Sequence, residues 1–184
     1  MAITQTTLSP GFVAPDFHLP DVVSGKFFSL SDLKGEKGTA VIFICNHCPY
    51  VIHIIRQLVE TGWKYHQQGI SFVMISSNDV VKYPADSPER MAEFAREFDF
   101  PFPYLYDETQ DVARAYQASC TPDITVFDEN LKCVYRGQFD ASMPGNNIPV
   151  TGSDLTAALD LFLAGKPVPS EQKPCVGCGI KWKE

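Results

Sequence analysis

A chain of 184 residues, 45% hydrophobic and 20% charged, is long enough to bury a core of its own. Its formal net charge of −7 argues against nucleic acid or an anionic membrane as main partner, since both would repel it. No apolar run approaches the length of a membrane span, and residues 1–10 have neither the basic start nor the apolar stretch of a signal peptide, so the expected compartment is the cytoplasm.

In chain order, short extended stretches are expected at residues 17–19 and 27–30, with Asp21 and Gly25 turning between them. Residues 39–45 (TAVIFIC) are apolar on both faces and rich in β-branched side chains, the pattern of a buried central strand. Val51, Ile54, Ile55 and Leu58 follow at helical spacing, and Gly69 can end that helix. Ile70–Ser76 reads as a second buried strand. Ser87 and Pro88 open another helix as N-cap and first residue, with Met91, Phe94, Ala95 and Phe98 on its apolar face. A short strand at 103–106 and a short helix at 111–117 precede two strands, 124–127 and 132–136, joined by a turn through Asp128, Glu129 and Asn130. A last helix is expected over 153–164, closed by Gly165. This order predicts an α/β fold: a central mixed β-sheet with helices on both faces, after an N-terminal β extension. Residues 1–164 form the expected domain. Residues 165–184, with their Pro, Gly, Lys and Cys content, read as an irregular C-terminal tail that can dock on it through Ile180 and Trp182.

The six cysteines are Cys45, Cys48, Cys120, Cys133, Cys175 and Cys178. In a cytosolic chain such residues point to catalysis or metal binding rather than structural disulfides. Cys45-Asn46-His47-Cys48-Pro49 falls where the buried strand ends and the helix begins. Helix N-terminal amides and dipole favour a thiolate there, the nucleophilic form, and a protonated His47 adds positive charge. Two registers are open: Pro49 at the first helical position, with Cys48 as N-cap, or a helix that starts near Cys45 and leaves Cys45 as the attacking sulfur.

The stretches Gly11-Phe-Val-Ala-Pro-Asp-Phe17 and Gly25-Lys-Phe-Phe-Ser-Leu-Ser-Asp-Leu33, the strand and the cysteine motif resemble the first half of the redoxin family, the alkyl hydroperoxide reductase/thiol-specific antioxidant proteins of the thioredoxin superfamily. Thr121-Pro122-Asp123 and Tyr135-Arg-Gly137 resemble its second half, and Asn46-His-Cys-Pro-Tyr50, Cys120-Thr-Pro122, 140–152 and Gly179-Ile-Lys-Trp182 resemble a peroxiredoxin-like subgroup. The resemblance implies a thioredoxin-like fold with a redox site at Cys45 and Cys48, supported by Asn46, His47, Pro49, Thr121 and Pro122. It further implies a cis bond before Pro122, a Thr121 backbone offered to a substrate cysteine, and Cys120 nearby. The peroxiredoxin Pro-x-x-x-Thr-x-x-Cys pattern is absent in either register, and residues 39–44 carry no buried acid of the thioredoxin kind. Arg136 is the candidate for polarising a peroxide, with a surface strand position as its alternative. Cys120, Cys175 and Cys178 are candidate resolving or relay thiols. Cys133 reads as core, and His18 and His53 as non-catalytic.

The leading expectation is a thiol–disulfide oxidoreductase without cofactor, acting on a protein or small-molecule disulfide and recharged by a thiol donor such as a thioredoxin or glutathione system. A thiol peroxidase working through a sulfenic acid is the alternative enzyme. A zinc-binding or redox-sensing module built on both C-x-x-C pairs is the non-enzymatic alternative. A homodimer fits the reach of the tail.

Overall fold

A computed structural model describes residues 2–3 and 11–184. The reading of the N-terminus as lacking an export signal falls on residues 1–10, of which only Ala2–Ile3 lies within the described residues. The first strands are β1 (Ala2–Ile3), β2 (His18–Pro20) and β3 (Phe27–Ser29); β2 and β3 pair antiparallel, and a capping box at Ser29 and Asp32 starts the short helix α1 (Leu30–Leu33).

The centre of the molecule is β4 (Gly38–Phe43), every residue of which is buried. It lies parallel to β5 (Ile70–Ser76), which lies parallel to β6 (Tyr104–Tyr106); on its other side run antiparallel β8 (Asp123–Asp128) and β9 (Cys133–Gly137). The order is β6-β5-β4-β8-β9, a mixed sheet as expected. Because strand side chains alternate, Ala40, Ile42, Phe72 and Met74 enter one core with helices α2 (Pro49–His66), α3 (Pro88–Glu97) and α5 (Ser153–Leu163). Val41, Phe43, Val73 and Ile75 enter the other, with Phe17, Leu30 of α1 and Ala113 of α4 (Asp111–Ala115). Val51, Ile54, Ile55 and Leu58 are buried as their spacing requires, each worth roughly 1.5–3 kcal/mol of transfer free energy.

Two differences from the sequence reading bear on the site. The central strand stops at Phe43; the Ile44 amide still donates to the Ile75 carbonyl, and Cys45 lies beyond the strand. The C-terminal segment is not wholly irregular: β10 (Val176–Gly179) lies between β1 and β7 (Cys120–Thr121) in a separate three-stranded antiparallel sheet. Gly177 makes this possible, since a Cβ there would collide with the Thr121 carbonyl oxygen. Beyond β10 the tail is held through its backbone. Asn78 Oδ1 accepts from the Lys181 amide at 2.9 Å, Gln110 Nε2 donates to the Lys181 carbonyl at 2.8 Å, and the Lys183 amide donates to Gln110 Oε1 at 2.8 Å. Ile180 is buried, and the Arg114 guanidinium lies 4.5 Å from the centre of the Trp182 ring.

Candidate active site

Pro49 has no amide hydrogen to lose, so it occupies the first position of α2 and makes Cys48 the N-cap. This decides the register: the helix does not begin at Cys45. Cys45 and Cys48 are 2% and 0% exposed. Facing them is the turn from β7 to β8, where the Thr121–Pro122 bond is cis as expected. Thr121 Oγ1 lies 3.4 Å from Cys45 Sγ, and the Cys48 thiol donates to the Thr121 carbonyl at 3.2 Å.

The two sulfurs shift one another in opposite directions. The Cys45 sulfur, acting as hydrogen-bond partner, pulls the Cys48 thiol well below the ordinary thiol range, helped by Cys178, Thr121 and the Val51 amide in the first turn and opposed by burial. Cys45 moves the opposite way, pushed up by its bond to Cys48, by burial and by the charge of Asp86.

Asp86 was missed by sequence. It lies in a 3-10 turn, Pro84–Asp86, just ahead of α3, and is wholly buried. Its Oδ1 accepts from the Asn46 amide at 2.8 Å and its Oδ2 from Asn78 Nδ2 at 2.8 Å. His47 Nδ1 comes within 2.6 Å of the same Oδ2, although no aligned hydrogen bond forms there, and the imidazole stacks on Tyr83 at 5.9 Å. Asn46 is fixed further by donating to the Ala85 carbonyl and accepting from the Tyr104 hydroxyl, both at 3.0 Å. The buried acid absent from β4 thus arrives from another element. The polar pair Asn46–His47 was the available signal, because polar groups at a buried helix start need an acceptor.

The remaining candidates fall in separate places. Arg136 is neither a surface residue nor free to meet a peroxide: its guanidinium donates to Asp123 at 2.8 Å and to the Tyr116 and Gln117 carbonyls at 2.8 and 3.0 Å. The tail thiols do not act as one pair, and they do not complete a four-thiolate centre with Cys45 and Cys48. Cys175 is buried beside Cys120, which with burial raises its thiol well above the usual range; it donates to the Gly137 carbonyl at 3.0 Å. Cys178 lies beside Cys48 and is pushed up to about 11 by burial and by that neighbour. The donors that do converge are Cys45, His47 and Asp86, one ligand atom of each within 4.8 Å of the others. Cys133 packs half-buried against the second core and is raised to about 11 by burial. His18 stacks on Phe27, and His53 Nε2 meets Ser142 Oγ at 2.7 Å.

Comparison with known proteins bears on the family and the fold. The thiol-disulfide oxidoreductase ResA of Geobacillus kaustophilus is 29% identical over 129 residues, covering 68% of this chain and 67% of that protein. A crystal structure of an uncharacterized conserved protein from the same species superposes with a TM-score of 0.95 at 53% identity, covering 100% of this chain and 97% of the other. The thioredoxin domain of a Bacteroides vulgatus thiol-disulfide oxidoreductase, 22% identical and covering 85% of this chain and 99% of its own, shares the fold at a TM-score of 0.66. Residues 10–136 match the AhpC/TSA family over the strand, the cysteine motif, Asp86 and the Thr121–Pro122 turn, and the chain belongs to that family.

Proposed function

We propose that this protein is a thiol–disulfide oxidoreductase whose reacting pair is Cys45 and Cys48. The observation that carries this reading is a buried dithiol at a strand–helix junction with both sulfurs in contact with Thr121. One sulfur attacks a substrate disulfide, a mixed disulfide forms and one thiolate leaves. The second sulfur then attacks the first, closing Cys45–Cys48 and releasing the other thiolate. The Cys48 thiolate is available for this chemistry near neutral pH because its neighbours hold its proton affinity down. Asp86 positions the motif through the Asn46 amide and keeps the Cys45 proton in place by its charge.

Arg136 is engaged in its ion pair, so the geometry favours disulfide exchange over peroxide reduction. Each turnover consumes the dithiol, which calls for a thiol donor of the thioredoxin or glutathione kind; the cytoplasm is the proposed compartment. The test is insulin reduction with dithiothreitol as recycling thiol, set beside hydrogen peroxide consumption. The wild type is expected to reduce insulin, and Cys45→Ser and Cys48→Ser to fall to the uncatalysed rate. Peroxide consumption without insulin reduction, or full activity in both variants, would overturn the assignment.

A further inference from the structure

Cys175 and Cys178 have the spacing of the first pair but not its geometry. Residues 46–49 turn into a helix, whereas Val176–Gly179 is a strand and Cys175 immediately precedes it. Three residues of strand cover about 10 Å, beyond the roughly 7 Å between Cα atoms that a disulfide tolerates. An odd offset along a strand also sends the side chains to opposite faces. Cys175 accordingly meets Cys120 on one side, while Cys178 meets Cys48 on the other.

The register brings Cys178 to the site. Cys178 lies directly across from Thr121 in an antiparallel ladder, and opposed residues of such a ladder share a face. Thr121 is the residue whose hydroxyl meets Cys45 and whose carbonyl meets Cys48. Strand β10 packs on α2, and Cys178 lies against the core cluster that holds both active sulfurs. The close approach at Gly177, with no room for a Cβ beside the Thr121 carbonyl, keeps β10 in that register. The family resemblance implies a Thr121 backbone offered to a substrate cysteine. Here the chain's own strand takes that backbone, and Cys178 stands where a substrate cysteine would.

We propose that Cys178 is a third exchange thiol, an internal substrate that β10 holds against Cys48. Once Cys45–Cys48 has formed, the Cys178 thiolate attacks Cys48 Sγ. The Cys48–Cys178 bond forms, the Cys45–Cys48 bond breaks, and Cys45 leaves as a thiolate that takes up the proton Cys178 has given up. No net oxidation occurs; the oxidised equivalent moves to the tail and Cys45 is free again. Burial and the Cys48 sulfur raise the Cys178 thiol, and Lys181 lowers it. Oxidation of Cys48 removes the second of these while Lys181 remains. This step rests on the exchange reading of Cys45 and Cys48.

The test gives the full-length reduced protein one equivalent of oxidised glutathione, quenches with acid, alkylates free thiols and maps disulfides by non-reducing mass spectrometry. Both Cys45–Cys48 and Cys48–Cys178 are expected within the monomer, the latter with Cys45 alkylated. In Cys178→Ser the fraction of oxidised molecules with alkylated Cys45 should fall at least tenfold, and Cys45→Ser should accumulate Cys48–Cys178. Wild type that holds only Cys45–Cys48, with Cys178 alkylated throughout, would overturn the inference and leave the exchange reading intact. Bonds of Cys178 found only between molecules would overturn it equally. Absence of any bond to Cys45 or Cys48 in the wild type would overturn both.

Discussion

Replacing Asp86 by Asn keeps the shape of a buried side chain and removes its charge, and the structure assigns the two effects different readouts. The two carboxylate oxygens accept from the Asn46 amide and from Asn78 Nδ2. An Asn amide offers a single oxygen, so one buried donor loses its acceptor, at a cost of about 1–3 kcal/mol. The charge has a separate role. The carboxylate lies within 4.8 Å of the Cys45 sulfur, where an effective dielectric constant of ~20 gives an interaction of about 3 kcal/mol, or roughly two pK units. Asp86→Asn is therefore expected to destabilise the reduced protein by about 2 kcal/mol in urea unfolding at pH 7, while lowering the Cys45 midpoint. The second effect is read from the rate of Cys45 alkylation against pH, resolved by mass spectrometry. A fall in both stability and Cys45 proton affinity is the signature. A Cys45 midpoint that stays put while stability falls would refute the claim that the Asp86 charge raises Cys45; unchanged stability would refute its part in holding Asn46 and Asn78.

Other outcomes follow from the same contacts. Thiolate absorbance at 240 nm should titrate with a midpoint below the roughly 8.5 of a free thiol, and Cys48→Ser should abolish that component. Because the folded protein then holds fewer protons than the unfolded chain, stability of the reduced form should rise with pH from the lowered midpoint up to the ordinary thiol range; a flat profile would count against the lowered Cys48. Arg136→Met strands Asp123, whose carboxyl burial already raises, and should cost about 3–5 kcal/mol at neutral pH. Protonating a raised carboxyl relieves that loss, so urea unfolding should show a smaller penalty near pH 4 than at pH 7. Gly177→Ala forces β10 away from the Thr121 carbonyl; a loss of about 1–3 kcal/mol and faster alkylation of Cys178 are expected, and neither would appear if the tail were loosely seated.

The sheet and its helices were legible because their signals are local. An apolar run such as residues 39–44 leaves β4 no stable place but a sheet centre, and the spacing of Val51, Ile54, Ile55 and Leu58 sets one helix face. Pro49 also carries its own meaning, since a residue without an amide hydrogen belongs at the start of a helix. The strand's end was harder: Ile44 and Cys45 are as apolar as the residues before them, and only the pairing partners show that the ladder stops at Phe43.

Residue types and order by themselves determined the β-α-β frame and the junction that carries Cys45 and Cys48, because each depends on near neighbours in the chain; the Thr121–Pro122 turn was legible through the family resemblance. Tertiary structure alone decided what surrounds the sulfurs. Asp86 reaches Asn46 from 40 residues away, and nothing near Ser87 in sequence marks its predecessor as part of the site. The two tail cysteines look like a second pair, but a strand parts what a helix start brings together, so Cys175 goes to Cys120 and Cys178 to Cys48. Spacing along a chain becomes distance in space only after the backbone conformation is chosen, and for residues 175–178 that choice is made by pairing with Thr121 and by the room that Gly177 leaves.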